Sequence, residues 1–230
     1  MPCLWKKECD IQMKNNADKT ILSLFDYTGN WSRPYRENGY TVIQHDIKLG
    51  QDIFEDTVPA AVDDNVEGNF VHGIMAAVPC TDFALSGARH WEEKDNQESP
   101  VWSKDVVFES RLDYWQMMVY STLLVIEMLQ PKWWVIENPV GRIAEVVPEL
   151  KKYRMLSYQP YEFGDPYKKK TVLYGEFNPW LTRNPVKPVK SRPGHHSIDE
   201  YYKIRGRAGR AQQRSVTPMG FAWAFYYANP

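Results

Sequence analysis

The side chains best suited to chemistry follow short apolar runs. Cys80 comes directly after Pro79 and the apolar residues 73–78, and Glu137 and Asn138 come directly after residues 133–136. Strands buried on both faces of a parallel sheet read as continuous apolar runs, and open α/β sheets bind ligands beyond the carboxyl ends of such strands. Two of these runs therefore deliver a thiol and a carboxyl to one sheet edge. There the thiol could act as a nucleophile and the carboxyl as an acid or hydrogen-bonding group. An isolated cysteine is more often a small buried hydrophobe. The carboxyl at a second strand end favours the nucleophile here.

The elements that must position these groups begin with a βαβ unit. Residues 21–25 predict a buried strand, residues 26–32 a turn of small and polar residues, and the stretch through Arg36 and Glu37 a helix closed by Asn38 and Gly39. Residues 40–45 predict a second strand that ends at Asp46. An acid at such a tip can accept hydrogen bonds from both hydroxyls of a ribose. Asp52 could accept from an adenine amino group, and Ile53 could contact the ring. The loop after the first strand holds one glycine, Gly29, so it is not GxGxxG, and no GK[ST] follows. These features predict an adenosine-type ligand without a pyrophosphate clamp.

Residues 81–100 are polar and predict a mobile loop able to close over a substrate. From Ser110 the apolar positions follow helical spacing to Leu129, with Pro131 beyond. Residues 155–163 and 171–175 predict the strands of a β-hairpin whose turn carries Lys168, Lys169 and Lys170. Residues 218–228 predict an aromatic helix that packs back on the sheet. The expected fold class is α/β: a mostly parallel sheet with helices on both faces and a small basic insertion. Three units follow: residues 1–175 as catalytic domain, 176–214 as a basic, Pro-rich segment that contacts nucleic acid, and 215–230 as a returning helix.

Composition narrows the class. The chain has 230 residues, a net charge of −1, 43% hydrophobic and 25% charged residues, which fits one globular core. Cys3, Cys9 and Cys80 form no CxxC pair, which points away from zinc and from a disulfide framework. The most apolar run, residues 117–129, contains Glu127 and is too short to span a bilayer, so a cytoplasmic protein is expected. Residues 183–214 hold nine Lys or Arg against Asp199 and Glu200, a local basic patch of the kind that phosphate binding requires.

Taken in order, these segments resemble the DNA cytosine 5-methyltransferases, especially compact bacteriophage members. Pro79-Cys80 matches the Pro-Cys motif, Glu137-Asn138 the Glu-Asn motif, residues 164–169 the hairpin that usually carries Gln-x-Arg-x-Arg, and residues 24–29 the cofactor loop. The resemblance implies a Rossmann-like fold that binds S-adenosylmethionine. It assigns cofactor contacts to Phe25, Asp26, Tyr27, Thr28, Gly29, Asp46, Ile47, Asp52, Ile53 and Pro79. It also implies that Cys80 adds to carbon 6 of a cytosine flipped out of DNA, Glu137 engages ring nitrogen 3, Asn138 holds the loop, and Lys169 orients the base. DNA contacts fall to Ser86, Arg89, Lys168, Lys203, Arg205, Arg207 and Arg210.

This chain departs from the family at Tyr27, where glycine is usual, at Pro139 after Glu-Asn, and at Lys169 and Thr171, where arginines are usual. Only about forty residues separate the hairpin from the last helix, where the family has a recognition domain. Short or relaxed specificity, or a partner protein that supplies it, is therefore expected. Two other readings stay open: a related enzyme acting on single-stranded DNA, RNA or a free nucleotide, and a binding protein without turnover. An amino-methyltransferase is disfavoured, because residues 138–141 lack the aromatic that ends Asn-Pro-Pro-Tyr.

Overall fold

The computed structural model describes residues 16–54, 58, 71–98, 108–191, 196–203 and 213–230. Its strands are β1 (Thr20–Leu24), β2 (Thr41–His45), β3 (Val71–Ala76), β4 (Trp133–Pro139), β5 (Arg154–Tyr158) and β6 (Thr171–Glu176). The described helices are α1 (Arg33–Glu37), α2 (Trp91–Asp95), α3 (Arg111–Leu129), α4 (Ile143–Val146), α5 (Ser197–Tyr201) and α6 (Met219–Ala228). The strands form one sheet in the order β2-β1-β3-β4-β6-β5. β1, β2, β3 and β4 pair in parallel, and β6 runs antiparallel to both of its neighbours. Strand order reverses between β1 and β3, which opens a crevice beyond their carboxyl ends.

Side chains along the strands alternate between two cores, as the strand period requires. Leu22, Leu24, Ile74, Ala76, Trp134 and Ile136 pack with Met118, Val119 and Ile126 of α3. Ile21, Met75, Trp133, Val135 and Leu173 pack on the other face with Tyr35 of α1 and Phe221 and Phe225 of α6. Helices therefore cover both faces, as the apolar runs predict. Gly73 has a packing reason to be glycine: a Cβ there would lie 2.2 Å from the Trp133 ring.

Local chemistry sets the ends of α3. The Ser110 side chain accepts from the Asp113 N–H at 3.1 Å, and Gln130 leaves the helix with φ +44°, ahead of Pro131. In the hairpin, β5 and β6 pair as expected, but the first strand stops at Tyr158. Gln159 and Glu162 form a reciprocal cap, and Pro160–Phe163 becomes a 3-10 turn, because Pro160 offers no N–H to extend the ladder.

Two segments differ from expectation or extend it. Residues 81–98, expected to be a mobile loop, contain a 3-10 helix (Leu85–His90) and α2, the first held to the body of the protein by a backbone bond at Leu85 and the second by ion pairs described below. Residues 177–191 form an extended strap: Asn184, Val186 and Val189 donate backbone N–H groups to the carbonyls of Glu162, Tyr161 and Pro166. Phe177, at the start of the strap, is buried in the α6-side core. No helix among the described residues is long and apolar enough to cross a membrane.

The C-terminal helix is part of the core. Phe221 stacks on Tyr158 with ring centroids 4.1 Å apart, and the Tyr35 hydroxyl donates to the Asn229 carbonyl at 2.7 Å. Phe221→Ala should therefore cost about 4 kcal/mol of stability in urea unfolding.

Candidate active site

The site begins at the turn that follows β3. The side-chain amide of Asn138, fully buried on β4, donates to the Val78 carbonyl at 2.9 Å and ties the two strand ends together. The N–H groups of Phe83 and Ala84 donate to the Cys80 carbonyl at 3.1 and 3.0 Å, which closes the turn. Residues just past β4 grip it from the other side. Leu85 N–H donates to the Val140 carbonyl, and the backbone N–H and Nε of Arg142 donate to the carbonyls of Phe83 and Asp82. The chains approach so closely that a Cβ on Gly141 would lie 1.7 Å from the Phe83 oxygen.

Asp82 is the electrostatic anchor of this turn. Its carboxylate is buried and accepts from Lys94 Nζ and Arg111 Nε, each at 2.7 Å. Burial alone would raise its pKa, but the hydrogen bonds from Arg111 and Lys94 outweigh that and leave it below the ordinary value. Arg142 also makes a two-pronged pair with Asp95 of α2 and lies 4.5 Å from the centre of the Trp91 ring. These contacts order residues 81–98.

Cys80 is half-buried on the wall of a cavity of about 280 Å³ that Ser86, Pro139, Lys168, Lys169, His196 and Arg214 also line. Lys169 Nζ lies 3.6 Å from Glu137 Oε1 on β4, with both side chains largely buried. Burial pushes the Cys80 thiol up from its ordinary pKa; Lys169 pulls it down, and Glu137 adds to the rise. Cys80 and Lys169 share this cavity, and Glu137, which is not on its wall, stands beside Lys169. Such a set can add sulfur to an electron-poor ring and place a proton donor or acceptor on that ring.

A second cavity, about 350 Å³, lies on the other side of the same turn. Phe25, Asp46, Ile47, Gln51, Asp52, Ile53, Pro79 and Thr81 line it, with Arg111, Tyr114, Trp115 and Met118 from α3. Its walls are mostly apolar, and two buried polar atoms, Gln51 Oε1 and Trp115 Nε1, have no hydrogen-bond partner among the described residues. Unsatisfied groups of this kind mark places where a ligand can complete the bonding. Phe25 adopts φ +59° at the tip of β1, a left-handed conformation that is costly for a residue with a side chain. Burial, and next the Asp52 charge, push the Tyr114 hydroxyl up to about 12, so it stays a hydrogen-bond donor at neutral pH.

Six of the ten expected cofactor residues lie on this wall, and four do not. Asp26 points inward instead: its carboxyl accepts from Ser23, Thr28 and both the N–H and hydroxyl of Ser32. It holds the loop together, and burial pushes its pKa up against those hydrogen bonds. Tyr27 is exposed with Lys48 Nζ 5.1 Å from its ring centre, and Thr28 and Gly29 also lie off the wall. The α3 residues were missed because helical spacing marks Trp115 and Met118 as core. Arg111 carries no local signal beyond its place in the first turn of α3.

Of the residues expected to meet nucleic acid, Ser86 and Lys168 line the Cys80 cavity. Arg89 and Lys203 are exposed away from that wall, and Arg205, Arg207 and Arg210 lie outside the described residues. Among the described residues, no group of three or more His, Cys, Asp or Glu is placed to hold a metal.

No protein-family profile matches the chain, and no curated protein matches it. Among solved structures, it is similar to an E. coli prophage-encoded protein provisionally described as a DNA modification methyltransferase, at 12% identity and a TM-score of 0.42. The likeness covers 75% of this chain and 53% of that one, so this chain spans about half of that protein's length.

The Asp82 cluster yields a stability prediction. Asp82→Asn should cost about 3 kcal/mol at pH 7 in urea unfolding, because it weakens bonds to two cations around a buried group. The folded pKa of Asp82 is lowered, so its contribution is complete above the ordinary value of 3.8 and disappears as pH falls through the folded value. The gap between wild type and variant should therefore narrow in acid.

Proposed function

We propose that this protein transfers a methyl group from S-adenosylmethionine to carbon 5 of cytosine in DNA, through a covalent adduct at Cys80. One observation carries the reading. Pro79 and Thr81 line the cavity with ligand-ready polar atoms, while Cys80 between them lines the basic cavity. A donor in the first and a pyrimidine in the second would meet across a single turn. Asp46 would hold the ribose hydroxyls, Asp52 the adenine amino group, and Phe25 and Ile53 the ring faces. When bound, S-adenosylmethionine supplies an electrophilic methyl group.

The chain's own residues would prepare the acceptor. Carbon 5 of cytosine is a weak nucleophile within an aromatic ring. Addition of the Cys80 sulfur to carbon 6 breaks the 5,6 double bond, saturates carbon 6 and pushes electrons to nitrogen 3, which leaves an enamine across carbons 4 and 5 whose electron density lies at carbon 5. Glu137 would hydrogen-bond or protonate nitrogen 3 and stabilise that adduct. Lys169, beside Glu137, would favour the thiolate and steady the carboxyl. Asn138 would act through the turn it fixes. After methyl transfer, loss of the carbon 5 proton and expulsion of the thiolate restore the aromatic ring.

A second reading, a cytosine-modifying enzyme on single-stranded DNA, RNA or a free nucleotide, draws support from the residues between β6 and α6. Where described, they form a strap and the short helix α5. Reading a duplex sequence needs several side chains delivered to base edges.

Tritium transfer from labelled S-adenosylmethionine tests both. Label should appear on duplex cytosine and fall by at least about 1,000-fold in Cys80→Ser. Label on single strands or nucleotides alone selects the second reading, and cofactor binding with no label on any substrate defeats both. The thiol adds a pH signature. Its raised pKa predicts a single-turnover rate that climbs as pH rises above neutrality. Lys169→Met removes the charge that pulls the thiol down, so its climb should shift to higher pH and its neutral rate fall by about 100-fold.

A further inference from the structure

Arg214 lies just before α6, at the end of the basic segment, and lines the Cys80 cavity. Its guanidinium is held in one orientation: Nε donates to Asp199 Oδ1 at 3.0 Å, and Nη2 pairs with Asp199 Oδ2. These bonds occupy one edge of the fork and leave Nη1. Asp199 is buried, and its helix is fastened to the hairpin, where the Lys168 N–H donates to Ser197 Oγ at 2.8 Å and Tyr167 packs on Tyr201 and Tyr202. Arg214 and the hairpin lysines are therefore fixed relative to one another.

The charges around this cavity do not cancel. Lys168, Lys169, Lys170 and Arg214 are on its wall, and no Asp or Glu is. Lys169 is beside Glu137 and Arg214 beside Asp199, which leaves the charges of Lys168 and Lys170 without an ion pair among the described residues. A fork with a free edge next to two unpaired ammonium groups suits a phosphate, which accepts several charge-assisted hydrogen bonds. A mere tether for α5 would not require the guanidinium on the cavity wall, nor two unpaired lysines beside it.

We propose that Arg214, Lys168 and Lys170 form a phosphate site in the Cys80 cavity that holds the phosphate attached to the target cytosine nucleotide. The proposal rests on the reading of Cys80 as the cytosine-binding thiol. The phosphate belongs either to a strand, as a phosphodiester, or to a free 5′-monophosphate. Both present negatively charged phosphate oxygens to the same three side chains, the diester with a single charge and the monoester with up to two.

The test follows protection of Cys80 from iodoacetamide in the whole chain, with peptide mapping by mass spectrometry to separate it from Cys3 and Cys9. Protectants are deoxycytidine, deoxycytidine 5′-monophosphate, and cytosine oligonucleotides whose phosphates flanking the cytosine are native or replaced by neutral methylphosphonates. Each phosphate-bearing protectant that fits should act at about 10-fold lower concentration than its neutral counterpart. That advantage should vanish in Arg214→Ala and return in part in Arg214→Lys. Lys168→Ala/Lys170→Ala changes only exposed side chains, keeps the Asp199 pair, and should lose most of the advantage. A stronger native oligonucleotide assigns the phosphate to a strand, and a stronger monophosphate assigns it to a free nucleotide. Equal protection by charged and neutral forms, or an advantage that survives both variants, overturns the site. If the advantage tracks Arg214 while labelled S-adenosylmethionine never marks cytosine, the phosphate site stands and the methyl-transfer reading fails.

Discussion

A buried amide reinforces the junction of the two strand ends that matter. Asn138 donates to the carbonyl of Val78 inside the protein, where an unpaired amide or carbonyl would cost on the order of 1–3 kcal/mol. That bond extends the β3–β4 ladder beyond its last pair, Ala76 with Ile136, and holds the chain leading to Cys80 against the strand that carries Glu137. The surrounding contacts serve the same end. Arg142 and Gly141 hold the far side of the turn, and Asp82 pins it to Lys94 and to Arg111 at the start of α3. Because Arg111 also lines the larger cavity, the geometry of one cavity is tied to that of the other.

Electrostatics at Cys80 are a balance between opposing effects. Burial disfavours the thiolate, and Lys169 supplies the strongest opposing pull. Glu137 stands beside that lysine, so one cation acts on both groups. A substrate carrying its own negative charge would enter a cavity whose wall holds Lys168 and Lys170, which have no ion pair among the described residues. The balance would then shift when the substrate binds, which links the nucleophile to substrate entry.

Much of the architecture was legible in the sequence because it depends on local pattern. Strand patterns marked β2, β3 and β4, and Asp46, Cys80 and Glu137 stand at or beyond the carboxyl ends of those three strands. Features that depend on distant partners were not legible. Residues 81–98 look like a solvated loop, yet their order comes from Asp82 meeting Arg111 and from Asp95 meeting Arg142, residues well apart in the chain. Asp26 falls in the stretch that resembles a cofactor loop, but three nearby hydroxyls hold it inward. Gln51 gave no warning, since one amide in a polar stretch looks like any other. Arg214 was hidden in a run of basic residues whose individual directions only the fold decides.

In the proposed reaction, Cys80 becomes bonded to carbon 6 of cytosine while Glu137 and Lys169 attend the ring. The most direct test is intact-mass and peptide mass spectrometry of the protein incubated with S-adenosylmethionine and DNA containing 5-fluorocytosine, which blocks release after methyl transfer. The account predicts an adduct that carries the transferred methyl group and maps to the peptide containing Cys80. Failure to trap any adduct on DNA that the protein binds, or an adduct at a different residue, would contradict it.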